Sequence, residues 1–130
     1  MNPKFWGSSA WRFIHSITFN YGDKHGIPSE KEKDIYKMYF RLLPYIIPCD
    51  SCSESFLCIC KETPVDNYLN CRKDLIMWAY IIHNKVNNKL QNTNENSEID
   101  FKTFYNFYKK NINETSNNNE NLSKQYFLKN

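Results

Sequence analysis

The sequence predicts an all-α fold: a four-helix bundle, a short fifth helix and a polar C-terminal tail. Three observations point there. Apolar residues recur at i, i+3/i+4 and i+7 along most of the chain, and no run sustains the apolar–polar alternation of a strand. Glycine occurs only at positions 7, 22 and 26, leaving few places for tight hairpins. With 130 residues, 41% apolar and 16% aromatic, the chain has the length and side chains for one compact core.

Each element follows from local signals. The first helix is expected from about Ser9 to Tyr21, with Phe13, Ile14 and Ile17 on one face and Gly22 just beyond its end. Ser29-Glu-Lys-Glu32 is a capping box, opening a second helix whose apolar face is expected to carry Ile35, Met38, Tyr39 and Leu42. Pro44 lacks a backbone N–H and should end or kink that helix. Pro48 stands where a third helix would begin, placing Cys49 and Cys52 in its first turn. Pro64 separates this helix from a fourth, about Cys71 to Leu90, whose Leu75, Ala79, Ile82, Val86 and Leu90 have the spacing of a buried face. After a polar linker (91–98), Phe101, Phe104, Tyr105 and Tyr108 suggest the fifth helix. Residues 1–112 thus form a helical domain, and 113–130 an Asn-rich, flexible tail.

Charge and hydropathy narrow the class of function. The net charge is +3, and no basic block concentrates it, so nucleic acid is not the expected partner. Apolar runs are only a few residues long, which argues against a transmembrane helix. The start, Met1-Asn-Pro-Lys-Phe-Trp6, lacks the pattern of a secretory signal or an Arg-rich presequence, so the expected setting is the cytosol. Asn occurs 18 times beside abundant Lys, Ile, Tyr and Phe, residues with A/T-rich codons. Five cysteines in a reducing compartment point to catalysis or metal binding more than to structure.

Cys49-Asp-Ser-Cys52 is the chemical centre. Three residues apart on a helix, the two Cα atoms lie roughly 5–6 Å apart, within the reach of a disulfide. The first helical turn offers free N–H groups and the positive end of the dipole, both of which stabilise a thiolate. A redox disulfide is therefore the favoured reading. A thioredoxin-like domain would need βαβ units, and no strands are visible. A zinc site would need a second, matched ligand pair. Cys58-Ile-Cys60 fits that poorly, because residues two apart on a helix point about 200° apart. Cys60 and Cys71 flank the Pro64 connection. They are read either as a disulfide closing a loop of about 11 residues, worth roughly 3 kcal/mol, or as buried free thiols along with Cys58.

Trp11 and His15 share one face of the first helix, and His83 and Asn87 share one face of the fourth, with Asn84 beside them. A bundle bringing the two strips together would have a cleft of Trp, His and Asn suited to a planar, hydrogen-bonding ligand. Taken singly, each residue is more simply a core or surface side chain.

The segments Trp11-Arg-Phe-Ile-His15, Pro48-Cys-Asp-Ser-Cys52 and His83-Asn-Lys-Val-Asn-Asn-Lys-Leu90 together resemble the Erv/ALR sulfhydryl oxidases, most of all the short forms of large DNA viruses. The resemblance runs from about Gly7 to Leu90, and Trp78 agrees with it. It implies an FAD-linked thiol oxidase, usually a homodimer, with FAD in the mouth of the bundle. By position, FAD contacts would come from Gly7, Ser8, Trp11 and His15, more weakly from Tyr21, and from Trp78, His83, Asn84, Val86, Asn87, Lys89 and Leu90. Cys49 and Cys52 would face the flavin as the catalytic pair, with Cys58, Cys60 and Cys71 as structural or relay cysteines. The implied substrate is a dithiol protein of thioredoxin-like kind, and O2 the final acceptor. Ser8 stands where cellular relatives often carry Arg, Gln91-Asn92 where Gly-Lys is common, and Tyr80 where a structural cysteine is usual. The extension that often carries a shuttle disulfide is expected to be absent. Two alternatives stand beside this: a zinc-stabilised helical binding module without catalysis, and a purely structural dimeric bundle.

Overall fold

The computed structural model describes residues 1–91 and 99–114, with side chains over 1–89 and 99–112. Its elements are α1 (Pro3–Phe19), α2 (Glu30–Ile46), α3 (Asp50–Glu62), a 3-10 turn (Val65–Tyr68), α4 (Arg72–Gln91) and α5 (Phe101–Glu114). No strand occurs among the described residues, in line with the predicted all-α class. The chain divides into two units, residues 1–97 and 98–130. The first is the four-helix bundle, in which α4 packs on α1 and α3, and α2 on α3. Among the described residues no helix is long and apolar enough to cross a membrane.

α1 begins at Pro3, earlier than the expected Ser9. Asn2 caps it, its side-chain oxygen accepting the Lys4 N–H at 3.0 Å, and Pro3 fills a first-turn position that needs no N–H. Beyond the helix, Gly22 lies at φ +86°, and a Cβ there would come within 2.6 Å of the Gly26 backbone, so this turn requires glycine. The expected inward face needs one correction: Phe13 is 59% exposed, and the buried residues are Ile14, His15, Thr18 and Phe19, with Ile17 packed at the edge of the core.

Ser29 caps α2 as expected, its Oγ accepting the Glu32 N–H at 3.1 Å. The Glu32 carboxylate accepts from the Gly22 N–H at 2.7 Å, tying the preceding turn to the helix. Here too the expected face is wrong. Of the four expected residues, Ile35, Met38 and Leu42 are more than half exposed and only Tyr39 packs against the core, where it joins Tyr36 and the buried Phe40 and Leu43. α2 carries apolar side chains on two faces, so periodicity cannot choose between them. What decides is Phe40, which packs edge-on against Trp78 with centroids 4.9 Å apart.

Pro44 neither ends nor follows α2, which continues to Ile46 with the ring buried. So close to the C-terminus a proline disturbs only the last turn. Its carbonyl accepts a hydrogen bond from Ser53 Oγ, joining the end of α2 to the start of α3. Pro48 precedes the cap of α3, and Cys49 itself is the N-cap.

α4 is the central element. Leu75, Ala79 and Ile82 are fully buried, and Val86 packs at the edge, as their spacing predicts. Trp78 is buried beside them and donates from Nε1 to the Thr63 carbonyl at 2.8 Å. Arg72 Nε donates to the Tyr21 carbonyl at 2.7 Å, clamping the start of α4 to the turn after α1. In the second unit Asp100 caps α5, accepting the Thr103 N–H at 3.0 Å. Phe101 lies against Tyr105, and Phe104 against Tyr108, along one side of that helix. The expected polar linker at 92–98, the tail beyond 114 and the side chain of Leu90 lie outside the described residues.

Candidate functional site

All four helices of the bundle line one cavity of about 350 Å³, within the size range of cofactor sites. α1 supplies Trp6, Gly7, Ser8 and Trp11; α4 supplies His83, Val86 and Asn87; α3 supplies Cys52 and Phe56. Tyr39 and Leu43 of α2 close the remaining wall, with Ile47 just beyond it.

The two strips read from the sequence do meet. Trp11 stacks on His83 with centroids 4.1 Å apart and planes 8° apart, and Phe56 abuts the indole edge-on at 6.1 Å. His15, behind this stack, lies with Nε2 2.8 Å from His83 Nδ1. One imidazole must donate and the other accept, so this bond needs at least one neutral ring and locks the tautomers of both. Burial, reinforced by the neighbouring His83, lowers the His15 pKa from its ordinary 6.5 to about 3. Burial alone lowers His83 to about 4.

These shifts make the bundle acid-sensitive. Above the unfolded value of 6.5 both rings are neutral in either state. Below it only the unfolded chain takes up protons, so folding free energy is lost as pH falls from 6.5 toward 4. The slope is at most about 1.4 kcal/mol per pH unit for each histidine, less for His83, which is partly open to water. Urea unfolding of the cofactor-free protein at pH 7.5, 6.5 and 5.5 should show this loss. The His15→Gln/His83→Gln double variant should show a flatter profile, and an equal slope in both proteins would refute the assignment.

Cys49 and Cys52 form a disulfide with Cα atoms 5.2 Å apart, inside the predicted range. The two sulfurs have different surroundings. Cys52 lines the cavity together with the Trp11–His83 stack, whereas Cys49 caps α3 outside that lining. Cys58, Cys60 and Cys71 are free, so the Cys60–Cys71 disulfide is not formed; the thiols are free but not buried as expected, Cys58 being exposed and Cys60 and Cys71 half-buried. Burial pushes the Cys60 thiol up to about 11, which makes it a poor nucleophile near neutrality. Among the described residues no three His, Cys, Asp or Glu side chains come together as metal ligands.

Of the candidate residues on α1 and α4, Gly7, Ser8, Trp11, His83, Val86 and Asn87 line the cavity. Asn84 is half-buried on α4, and Lys89 faces a separate depression with Ile59, Glu62 and Lys85. Tyr21 and Trp78 sit in the core, the Tyr21 hydroxyl donating to the Leu69 carbonyl at 2.6 Å. Trp6 was not anticipated. The Asn2-Pro3 cap is the signal that finds it, since a helix from Pro3 puts Trp6, Ala10, Phe13 and Ile14 at i, i+4, i+7 and i+8, and all four line the cavity.

The sequence profile of the Erv1 / Alr family matches residues 8–111, from the first turns of α1 into α5. This chain belongs to the Erv1/Alr family. A probable FAD-linked sulfhydryl oxidase, R368 of Acanthamoeba polyphaga mimivirus, is 32% identical over 88 residues, which cover 67% of this chain and 59% of that protein. An FAD-linked sulfhydryl oxidase of African swine fever virus (isolate Warthog/Namibia/Wart80/1980) is 31% identical over 87 residues, covering 65% of this chain and 67% of its relative. Among solved structures, the FAD binding domain of Erv1 from Saccharomyces cerevisiae aligns with a TM-score of 0.69 at 27% identity, covering 85% of this chain and 92% of that one. This Erv1/Alr chain spans 59% of the length of the mimivirus relative and the same share of one from Invertebrate iridescent virus 3.

The cavity suits a flavin on its own features. A Cβ built on Gly7 meets nothing within 4 Å, so the glycine leaves room that the protein does not use. Among the described residues nothing accepts a hydrogen bond from the buried Trp6 Nε1–H, a vacancy that a ligand acceptor would fill. The parallel Trp11 and His83 rings add a flat, aromatic wall for a planar heterocycle.

Proposed function

We infer that this chain is the catalytic domain of an FAD-dependent thiol oxidase, which forms disulfides in protein dithiols. The observation that carries the reading is the position of Cys52. One sulfur of a reducible disulfide lines the same cavity as the Trp11–His83 stack, Gly7 and the open Trp6 N–H. The names of the family's relatives agree with it.

In this reading Gly7, Ser8, Trp11, His83, Val86 and Asn87 hold FAD, and a cofactor role for Asn84, Lys89 and Leu90 rests on the sequence resemblance alone. His15 acts through His83 by locking its tautomer. Tyr21 and Trp78 support the walls from the core. A substrate thiolate attacks Cys49 Sγ, forming a mixed disulfide and releasing Cys52 as a thiolate. A second substrate thiolate attacks the substrate sulfur of that bond, releasing Cys49 and leaving the substrate oxidised by two electrons. Bound FAD supplies the two-electron acceptor that restores the Cys49–Cys52 disulfide, with O2 as final acceptor and hydrogen peroxide as product. The substrate class is a small dithiol protein of thioredoxin-like kind, in the cytosol.

The test is a visible spectrum of the purified protein, before and after a dithiol is added without oxygen. A flavin band that bleaches, then returns with peroxide on aeration, is expected. A colourless protein that fails to take up added FAD would end this reading.

We also infer a homodimer through α2. Ile35, Met38, Tyr39 and Leu42 line an apolar groove with Lys31 and Asp34 at its rim, opposite charges that suit a two-fold interface. Light scattering should give a dimer for the parent chain and a monomer for Leu42→Glu. A monomeric parent would overturn the inference.

A further inference from the structure

Cys49 Sγ has two hydrogen-bond donors that cofactor binding does not explain. As the N-cap of α3 it accepts the Cys52 backbone N–H at 3.3 Å. The Ser51 hydroxyl lies 3.6 Å from the same sulfur. A disulfide sulfur carries no proton, so the hydroxyl is the donor. The first turn that presents both groups is itself held in place. Ser53 N–H donates to the Cys49 carbonyl at 2.8 Å, and Ser53 Oγ donates to the Pro44 carbonyl at the end of α2. Asp50, the next residue along, is an exposed carboxylate that would oppose negative charge on Cys49, which makes donors aimed at that sulfur consequential.

We propose that Ser51 is a positioning residue that stabilises negative charge on Cys49 Sγ as it leaves the mixed disulfide, an assignment that rests on the oxidase reading. The step is the second exchange. The attacking substrate thiolate forms the substrate disulfide, and the bond between the substrate sulfur and Cys49 Sγ breaks. The bonding pair stays on Cys49, now a thiolate bonded to the Ser51 hydroxyl and the Cys52 N–H. The substrate has then lost two electrons, and the Cys49–Cys52 pair has gained them. A thiolate that is stabilised leaves faster, so Ser51 hastens release of oxidised substrate. The Cys52 sulfur, among the cavity residues, takes no part in this exchange.

The experiment measures the Cys49 thiol separately from oxidase turnover. In full-length holoprotein carrying Cys52→Ala, alkylation of Cys49 by iodoacetamide is followed against pH, with the peptide identified by mass spectrometry. Adding Ser51→Ala should move the Cys49 profile up by about half to one pH unit, and Ser51→Thr should restore it. With both cysteines present, Ser51→Ala should lower dithiol turnover roughly two- to fivefold while the content and spectrum of bound FAD stay those of the parent. An unchanged alkylation profile in Ser51→Ala, or no restoration by Ser51→Thr, would overturn the role of Ser51 whatever the oxidase does. A protein that shifts its profile but binds no flavin would uphold the Ser51–Cys49 bond and reject the oxidase reading instead.

Discussion

Cys52→Ser protein should purify yellow, keep its FAD and no longer bleach when a dithiol is added without oxygen. Cys52 is the member of the pair that lines the cavity, so its removal cuts the route between substrate and cofactor while leaving the Trp11–His83 stack intact. Turnover with O2 should fall at least about a thousandfold, the scale on which loss of a reacting nucleophile is felt. A chemical reductant that needs no thiol relay should still bleach the band. Folding should survive, since the disulfide closes only a short loop worth about 2 kcal/mol or less. Cys49→Ser should lose turnover too. A Cys52→Ser protein that still oxidised dithiols would place the redox centre elsewhere, with Cys58 the exposed thiol to examine next.

Gly7→Leu should separate stability from cofactor binding in opposite directions. A glycine inside a helix costs roughly 0.5–1 kcal/mol relative to a good helix former, and Gly7 sits inside α1. No neighbouring atom lies within 4 Å of its would-be Cβ, so a larger side chain meets open space and not protein. That space belongs to the cavity. The cofactor-free variant should therefore melt a few degrees higher than the parent, as a gain of about 1 kcal/mol implies for a domain of this size. FAD affinity should fall about a hundredfold or more, because leucine occupies volume the ring system needs. Gly7→Ala should fall between. Thermal melts of the apoprotein and the flavin-to-protein ratio after gel filtration check both arms. A Gly7→Leu protein that stays fully yellow would remove Gly7 from the site.

Much of the architecture was legible because the signals were local. The Ser29 cap, the Pro64 break and the Leu75–Ala79–Ile82 stripe each need only near neighbours to be read, and each stands where it was expected. The differences in α1 and α2 burial arise in choices between faces. α2 presents Ile35, Met38 and Leu42 on one side and Tyr36, Phe40 and Leu43 on another, and only contact with Trp78 of α4 shows which turns inward. The early start of α1 is local too, written in Asn2 and Pro3, and it is what brings Trp6 onto the helix.

At the site the division is similar. The spacing of Cys49 and Cys52 on one helical turn sets their separation, so a disulfide between them followed from chain geometry alone. Trp11 and His15, and likewise His83 and Asn87, were placed on common faces by the helical repeat. Their meeting across the bundle was not written in either segment. It depends on how α1 packs on α4, which sets the 2.8 Å approach of the two imidazoles and the burial that keeps both neutral. Tertiary structure likewise leaves Cys60 and Cys71 unjoined and gives Cys52, but not Cys49, a place in the cavity lining. Residues a few positions apart are held by backbone geometry, whereas residues brought together from distant segments are held by the sum of many packing contacts, which no short stretch of sequence contains.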